Sequence, residues 1–172
     1  MPVERITSAQ NPFIKKIVRL RDADERRKES LTIVEGLREI SMAFKNKVLF
    51  KRVYFCREQL SKEQAKDILD PLIQSGVEAL ETDPKVFEKI AFGNRSEGIL
   101  AVCQPSVKTF KDLSLRPKSL CVVLEGVEKP GNLGAILRTC DAAGVEALFI
   151  CDPKTDVFNP NVIRASLGAV FS

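Results

Sequence analysis

The sequence predicts an α/β protein built from two units. Short β-branched runs alternate with segments whose apolar residues recur at helical spacing, which is typical of layered α/β domains. A polar stretch with two prolines, residues 105–118, predicts a linker between a first unit over residues 1–104 and a second over residues 119–172. The second unit repeats strand and helix twice, as expected at the start of a parallel sheet.

The first unit opens on a basic helix. Its apolar residues recur at helical spacing from Phe13 onward, Ser8 is the predicted N-cap, and Pro12 is tolerated near the helix start. In the first 21 residues one acid, Glu4, is set against five basic side chains: Arg5, Lys15, Lys16, Arg19 and Arg21. This excess fits either an ordinary solvated helix face or an electrostatic footprint for a polyanion. The charged residues 22–30 that follow are interpreted as a helix end or loop.

The rest of the first unit alternates regularly. Strands are predicted at residues 31–36, 51–56, 77–83 and 98–104, because these runs are apolar, β-branched or aromatic. Helices are predicted at residues 37–46, 60–76 and 83–92. The first of these helices should bury Leu37, Ile40, Met42 and Phe44. Ser61 and Asp83 are expected to cap the other two, with a kink at Pro71 and a helix end at Gly76.

The second unit contains an apolar run, residues 119–127, that predicts a buried strand. A glycine-rich turn, a helix at 135–144, a strand at 147–152 and a helix at 161–171 follow. Two strands are too few to bury both faces of a sheet. We therefore expect the unit to borrow surface from the first unit or from a partner chain, or the sequence to be a piece of a longer protein, which is the favoured interpretation.

Composition excludes several classes of protein. The 172 residues include no histidine, which removes Ser-His-Asp and Cys-His hydrolases. The five cysteines have no C-x-x-C spacing, so no metal site is predicted, and an odd count without a signal peptide indicates a reducing cytoplasm. No apolar run approaches 18 residues. The aromatic residues lie mostly inside apolar runs, so no exposed stacking platform is predicted.

The stretch GNLGAILRT, residues 131–139, is the strongest local signal for chemistry. Glycines after a strand and before a helix can present backbone N–H groups to an anion. The spacing matches neither a dinucleotide fingerprint nor a P-loop, so a tight connection is equally compatible. Asn132 could cap the helix or hold the turn. Arg138 could form a surface ion pair with Asp141 or present its guanidinium fork to a phosphate.

Three segments together resemble the SpoU/TrmH family of S-adenosylmethionine-dependent RNA ribose 2′-O-methyltransferases. LEGVEKPGNLGAILRTCDAAGV resembles the first family motif, and NPNVIRASLGAVF resembles a later catalytic-domain segment. ITSAQNPFIKKIVRLRD with IVEGLREI and SEGILAV resembles the substrate-binding domain. The resemblance implies an N-terminal ribosomal-protein-like α/β RNA-binding domain and the first half of a SPOUT-type, trefoil-knotted parallel α/β domain, without the knot segment.

The resemblance also implies site residues. Arg138 and Asn132 would be catalytic, and Pro130, Gly131 and Gly134 would shape the turn. Arg164 and Ser166 would lie on the substrate RNA side of the site. The charge of the N-terminal segment, rather than the resemblance, adds four expected RNA-binding residues: Arg5, Lys15, Lys16 and Arg19. The later cofactor motifs of the family are not found here, so the residues that bind S-adenosylmethionine are unassigned.

By the same resemblance, the expected partners are structured rRNA or tRNA and, at full length, a second copy of the chain. A non-catalytic RNA-binding module is the alternative. A Rossmann-type dehydrogenase ranks well behind both, because the required glycine pattern is missing.

Overall fold

The computed structural model describes residues 3–92, 96–106 and 108–172. Val107, within the predicted linker, and a few positions of the predicted first unit lie outside these ranges. Five strands form one mixed sheet, and two more form a separate parallel pair. The alternation of strand and helix is therefore confirmed, while the boundaries 1–104 and 119–172 stay a prediction.

The larger sheet has the order β1-β4-β3-β5-β2. Its strands are β1 Glu4–Ile6, β2 Thr32–Glu35, β3 Leu49–Phe55, β4 Glu78–Thr82 and β5 Ile99–Gln104. Strand β3 is central, parallel to β4 and antiparallel to β5. Four of the strands were predicted. The fifth, β1, was missed because its three residues bury only one side chain and so show no alternation.

The helices that cover this sheet are α1 Pro12–Arg19, α2 Ala23–Glu29, α3 Leu37–Lys45, α4 Lys62–Gln64, α5 Asp70–Gln74 and α6 Pro84–Ile90. Helices α4 and α5 are joined by one wide π turn, Ala65–Leu69, which precedes Pro71. The predicted caps Ser61 and Asp83 are confirmed.

Two predictions on helix ends were wrong. Asn11, not Ser8, caps α1, because its side chain accepts a hydrogen bond from the Phe13 amide at 2.9 Å. The charged stretch after α1 is a second helix rather than a loop, since Asp22 caps it through the amides of Asp24 and Glu25.

Each face of the sheet carries its own core. Helices α1 and α6 cover one face, where Ile14, Ile17 and Phe87 are buried. Helices α3 to α5 cover the other. On α3 the prediction is confirmed for Ile40, whereas Phe44 is exposed and Ala43 takes a buried position.

The second unit contains β6 Cys121–Glu125, α7 Pro130–Ala142, β7 Ala147–Cys151, α8 Pro160–Ala165 and a final 3₁₀ turn, Ala169–Phe171. Strands β6 and β7 pair in parallel, as predicted. The prediction that β6 is buried was wrong for this chain. Val123 is 66% exposed, because a two-stranded sheet leaves part of its surface uncovered.

The C-terminal segment packs on the first unit rather than on β6 and β7 alone. Ile163 and Phe171 lie in the same core as β2, β3 and β5. Arg26 Nε donates to Asp156 Oδ2 at 2.8 Å, and the Thr32 hydroxyl donates to the Phe158 carbonyl at 2.6 Å. Helix α8 is therefore fixed to the first unit, which covers part of the apolar surface of the short second unit.

The predicted linker is anchored to the second unit. A short 3₁₀ turn, Phe110–Asp112, places the Phe110 ring on that of Phe149, with centroids 5.3 Å apart. Arg116 is paired with Glu146 at 2.7 Å. Across the part of the chain that the structure describes, no helix is long and apolar enough to cross a bilayer.

Candidate active site

Helix α7 begins at Pro130, five positions earlier than predicted. Lys129 is its N-cap and makes no side-chain capping bond, and Pro130 occupies the first helical position. The glycine-rich stretch is therefore the first two turns of the helix rather than a loop. Arg138 lies correspondingly deeper in the helix than its sequence neighbourhood suggested.

The two glycines of this stretch have different roles. A Cβ on Gly134 would lie 2.4 Å from the Ala165 Cβ and 2.9 Å from two backbone atoms, Ala165 C and Ser166 N. Gly134 is thus required for the close approach of α7 and α8. A Cβ on Gly131 would meet no atom within 4 Å, so Gly131 borders open space.

That open space is a shallow cleft of about 490 Å³ between the start of α7 and α8. Its lining residues are Pro130, Gly131, Asn161, Arg164 and Ala165. Asn161 was not predicted. It lies three positions before Arg164 on α8, and this spacing puts the two side chains on one helix face, which is the signal that could have identified it.

Arg138 reaches the same junction from the other helix. Its guanidinium Nη1 donates to the Ala165 carbonyl at 3.3 Å, and the side chain is exposed. The alternative ion pair with Asp141 is not found among the described residues. Since a guanidinium carries five N–H groups, further donors remain for a ligand.

Arg164 connects the cleft to the first unit. Its Nη1 lies 3.7 Å from Glu35 Oε2, a carboxylate that is 4% exposed and that also accepts a hydrogen bond from the Phe92 amide at 2.6 Å. Next to this pair, burial raises the pKa of Glu39, Glu97 raises it further, and Arg164 opposes the shift. The cleft therefore has a cationic rim backed by buried carboxylates.

Two predicted site residues, Ser166 and Asn132, do not line the cleft between α7 and α8. Ser166 is fully buried at the end of α8, and its hydroxyl donates to the Ile163 carbonyl at 2.9 Å. Direct contact of this hydroxyl with RNA is not available in this structure, because the short side chain bonds back to its own helix. Asn132 is exposed in the first turn of α7. Within the described ranges it neither caps the helix nor bonds to Arg138.

The basic residues of the N-terminal segment are partly neutralised. Lys16 pairs with Glu29 at 2.6 Å, and Arg5 lies 3.3 Å from Glu58 and 3.8 Å from Glu81. Lys15 and Arg19 are exposed on α1, and no described acid lies within 4 Å of either.

Among the described residues, no group of three or more His, Cys, Asp or Glu side chains is arranged to hold a metal ion.

The structure thus joins a five-stranded α/β unit through a shared core to a parallel strand–helix–strand unit, with two arginines at the junction of α7 and α8. Residues 11–101 match the MRM3-like substrate binding domain, and residues 119–172 match the SpoU rRNA methylase family. The chain therefore belongs to the proteins that carry an MRM3-like substrate binding domain, and its C-terminal third matches the SpoU rRNA methylase family.

Individual relatives agree with this assignment. A 23S rRNA (guanosine(2553)-2′-O)-methyltransferase of Bacillus subtilis is 26% identical over 98% of this chain and 63% of its own length. An RNA 2′-O ribose methyltransferase crystal structure superposes with a TM-score of 0.84 at 34% identity, over 98% of this chain and 63% of that one.

An AdoMet-bound rRNA methyltransferase from Sinorhizobium meliloti has a TM-score of 0.86 at 26% identity, with 99% of this chain and 62% of that chain covered. The mixed α/β fold is thus that of SpoU methyltransferases. The chain spans 63% of the length of the Bacillus subtilis relative and 62–63% of the two solved structures.

Proposed function

We propose that the whole protein transfers a methyl group to a ribose 2′-hydroxyl of a structured RNA, either ribosomal or transfer RNA. The observation that carries the proposal is the junction of α7 and α8. Gly134 lets the helices approach, Arg138 is bonded to Ala165, and the neighbouring Arg164 lines the cleft. Family membership and the named activities of the relatives support the same reaction.

The arginines suit this chemistry as charge-positioning groups. A ribose hydroxyl becomes a good nucleophile only as it loses its proton, and arginine stays protonated at every physiological pH. We assign Arg138 to holding the adjacent phosphate and stabilising negative charge on the attacking 2′-oxygen. The proton passes to a phosphate oxygen or to water. Arg164 supplies a second cation on the same cleft, and Asn161 an amide.

S-adenosylmethionine is the proposed methyl donor of the whole protein, and it would supply an electrophilic methyl group on a sulfonium. The described residues do not by themselves fit this cofactor. The cleft is shallow, its polar side chains are Asn161 and Arg164, and its lining residues include neither an acid for ribose hydroxyls nor an apolar slot for adenine. The residues that line this cleft are therefore assigned to the RNA rather than to the cofactor.

Other parts of the proposal concern partners. Lys15 and Arg19 are proposed as contacts to the RNA backbone, because both are exposed and neither has an ion pair with a described acid, whereas the guanidinium of Arg21 donates to the carbonyls of Lys89 and Ala91. A homodimer of the full-length protein and the boundaries of its two domains remain proposals. The alternative function is RNA binding without catalysis, which the incomplete cofactor site keeps open.

The deciding experiment is methyl transfer from tritiated S-adenosylmethionine to rRNA and tRNA by the natural full-length protein. Arg138→Lys keeps the charge but loses the planar fork, so we expect a fall in kcat of about 100-fold. Arg116→Lys is the matched control, because Arg116 is exposed and paired with Glu146 rather than placed at the cleft. It should stay within twofold of wild type.

Full activity of Arg138→Lys would refute the assigned role of the arginine. RNA binding without methyl transfer to any rRNA or tRNA would favour the non-catalytic alternative.

A further inference from the structure

A second cleft, of about 360 Å³, lies between helix α1 and the larger sheet. It shares no lining residue with the cleft between α7 and α8. Its rim includes Phe13 and Lys16 of α1, Lys51 and Arg52 of β3, and Gln104 at the end of β5. Most of its lining residues lie in the matched substrate binding domain, residues 11–101, but the match does not say what this cleft binds.

One wall of this cleft is a stacked pair. The guanidinium carbon of Arg52 lies 4.0 Å from the centroid of the Phe13 ring, well within the range of a cation–π contact. Arg52 Nε also donates to Glu78 Oε2 at 2.6 Å, which fixes the plane of the guanidinium from a second side. The sequence predicted no aromatic platform, because Phe13 looked like one more apolar residue of a helix.

The floor is apolar and closely packed. Ile17, Tyr54 and Val102 line the cleft, and each is almost completely buried. A flat ring placed there would lie against buried side chains on one side and the stacked pair on another. Aromatic and guanidinium surfaces of this kind bind nucleobases with little preference for sequence.

The rim supplies charge and hydrogen bonds. Lys51 is exposed, and none of the described carboxylates lies within 4 Å of its ammonium group. Lys16 is less available, since Glu29 holds it at 2.6 Å. Gln104 is exposed at the end of β5, the strand that pairs with β3. Its side-chain amide can both donate and accept hydrogen bonds, as contact with the edge of a base requires.

We propose that this cleft binds one unstacked nucleotide of the RNA substrate, with its base on the apolar floor and its phosphate toward Lys51. The volume lies at the small end of ligand sites, which suits a single nucleotide and excludes a duplex. Sequence-specific proteins commonly read RNA by splaying out such bases. That the nucleotide belongs to an RNA rests on the proposed function. That the ligand is a nucleotide rests on the residues of the cleft alone.

The test is an NMR titration of the ¹⁵N-labelled 172-residue chain, at low salt, with three probes: hexauridylate, uridine 5′-monophosphate and inorganic phosphate. Both uridine probes should shift the amides around Lys51, Arg52 and Gln104, with hexauridylate binding at least tenfold more tightly. Phosphate should leave the amides of Arg52 and Gln104 unchanged and shift that of Lys51 less than the uridine probes do. Shifts confined to other surfaces, or equal shifts with phosphate, would overturn the nucleotide assignment. Equal affinity for hexauridylate and uridine 5′-monophosphate would contradict the claim that the cleft binds a nucleotide within an RNA chain.

Variants separate the cleft from general charge attraction. Lys51→Ala and Gln104→Leu should each weaken hexauridylate binding about fivefold or more. Lys66→Ala is the matched control, because Lys66 is exposed on the π turn and lies outside the cleft. Equal losses in Lys51→Ala and Lys66→Ala would overturn the proposal. Thermal melting of each variant verifies its fold.

Because these titrations contain no methyl donor, an inactive enzyme would leave the binding result intact. Conversely, an empty cleft would leave the methyl-transfer proposal standing.

Discussion

Replacing Gly134 by alanine tests the helix junction on which the proposed site depends. The new Cβ would lie 2.4 Å from the Ala165 Cβ, about 1 Å inside the usual carbon–carbon contact distance. No rotamer can relieve this overlap, because Cβ is fixed by the backbone. Two of the three close atoms are backbone atoms of Ala165 and Ser166, so the helices themselves must move apart.

The expected change in the free energy of unfolding is the difference between a destabilising and a stabilising effect. Overpacking of this kind costs about 1–3 kcal/mol, and three close atoms favour the upper part of that range. Alanine in place of glycine stabilises a helix interior by up to about 1 kcal/mol. We expect Gly134→Ala to lower the free energy of unfolding by about 1–2 kcal/mol, which corresponds to a fall in Tm of about 2–8 °C.

Gly131→Ala provides the internal control. It changes the same residue type in the same helix, but its Cβ would meet no atom within 4 Å. Its stability should be unchanged or slightly increased. Urea and thermal unfolding followed by circular dichroism measure both variants, since the chain has no tryptophan.

Equal stability of Gly134→Ala and Gly131→Ala would refute the close approach of α7 and α8. Ala165→Gly in the Gly134→Ala background should restore part of the loss, because it removes the 2.4 Å contact and leaves the two at 2.9 Å.

Two further predictions concern the interface between the units. Burial raises the pKa of Glu39, so the folded state gains stability below the unfolded pKa of about 4.3 and loses it as pH rises through the raised value. Glu39→Gln should therefore have a higher Tm than wild type at pH 7, and this difference in Tm should disappear near pH 4. A larger difference at pH 4 than at pH 7 would show that the charge of Arg164 affects the pKa of Glu39 more than burial does. Arg26→Met leaves the partly buried Asp156 carboxylate without its cation and should cost about 3 kcal/mol in urea unfolding, whereas Arg27→Met, at an exposed pair, should change little.

Much of the fold was predictable because it is encoded locally. The β-branched runs of β2 to β5, the caps Ser61 and Asp83, and the parallel pairing of β6 with β7 depend on residues near each other in sequence. Helix α2 was not predicted, because its charged residues bury only Arg26 and so show no apolar period.

The site was predicted less completely than the fold. Arg138 and Arg164 do lie at one helix junction, linked through Ala165. The place of Ser166 on the RNA side stays a prediction, and its burial in this structure could not be deduced from the residue type. Asn161 was missed, and the stacking of Phe13 under Arg52 was invisible because the two residues come from different elements.

The sequence by itself determined most of the strands and helices, the resemblance to the family and the cationic residues proposed for the site, because periodicity, capping and motif spacing act over a few residues. Only the tertiary structure decided that Gly134 is a helix contact rather than part of a phosphate-binding loop. It also decided that Arg26 reaches across to Asp156 and so fixes α8 to the first unit. These contacts join residues far apart in the chain, and their energies depend on distances and burial that exist only once the elements have packed.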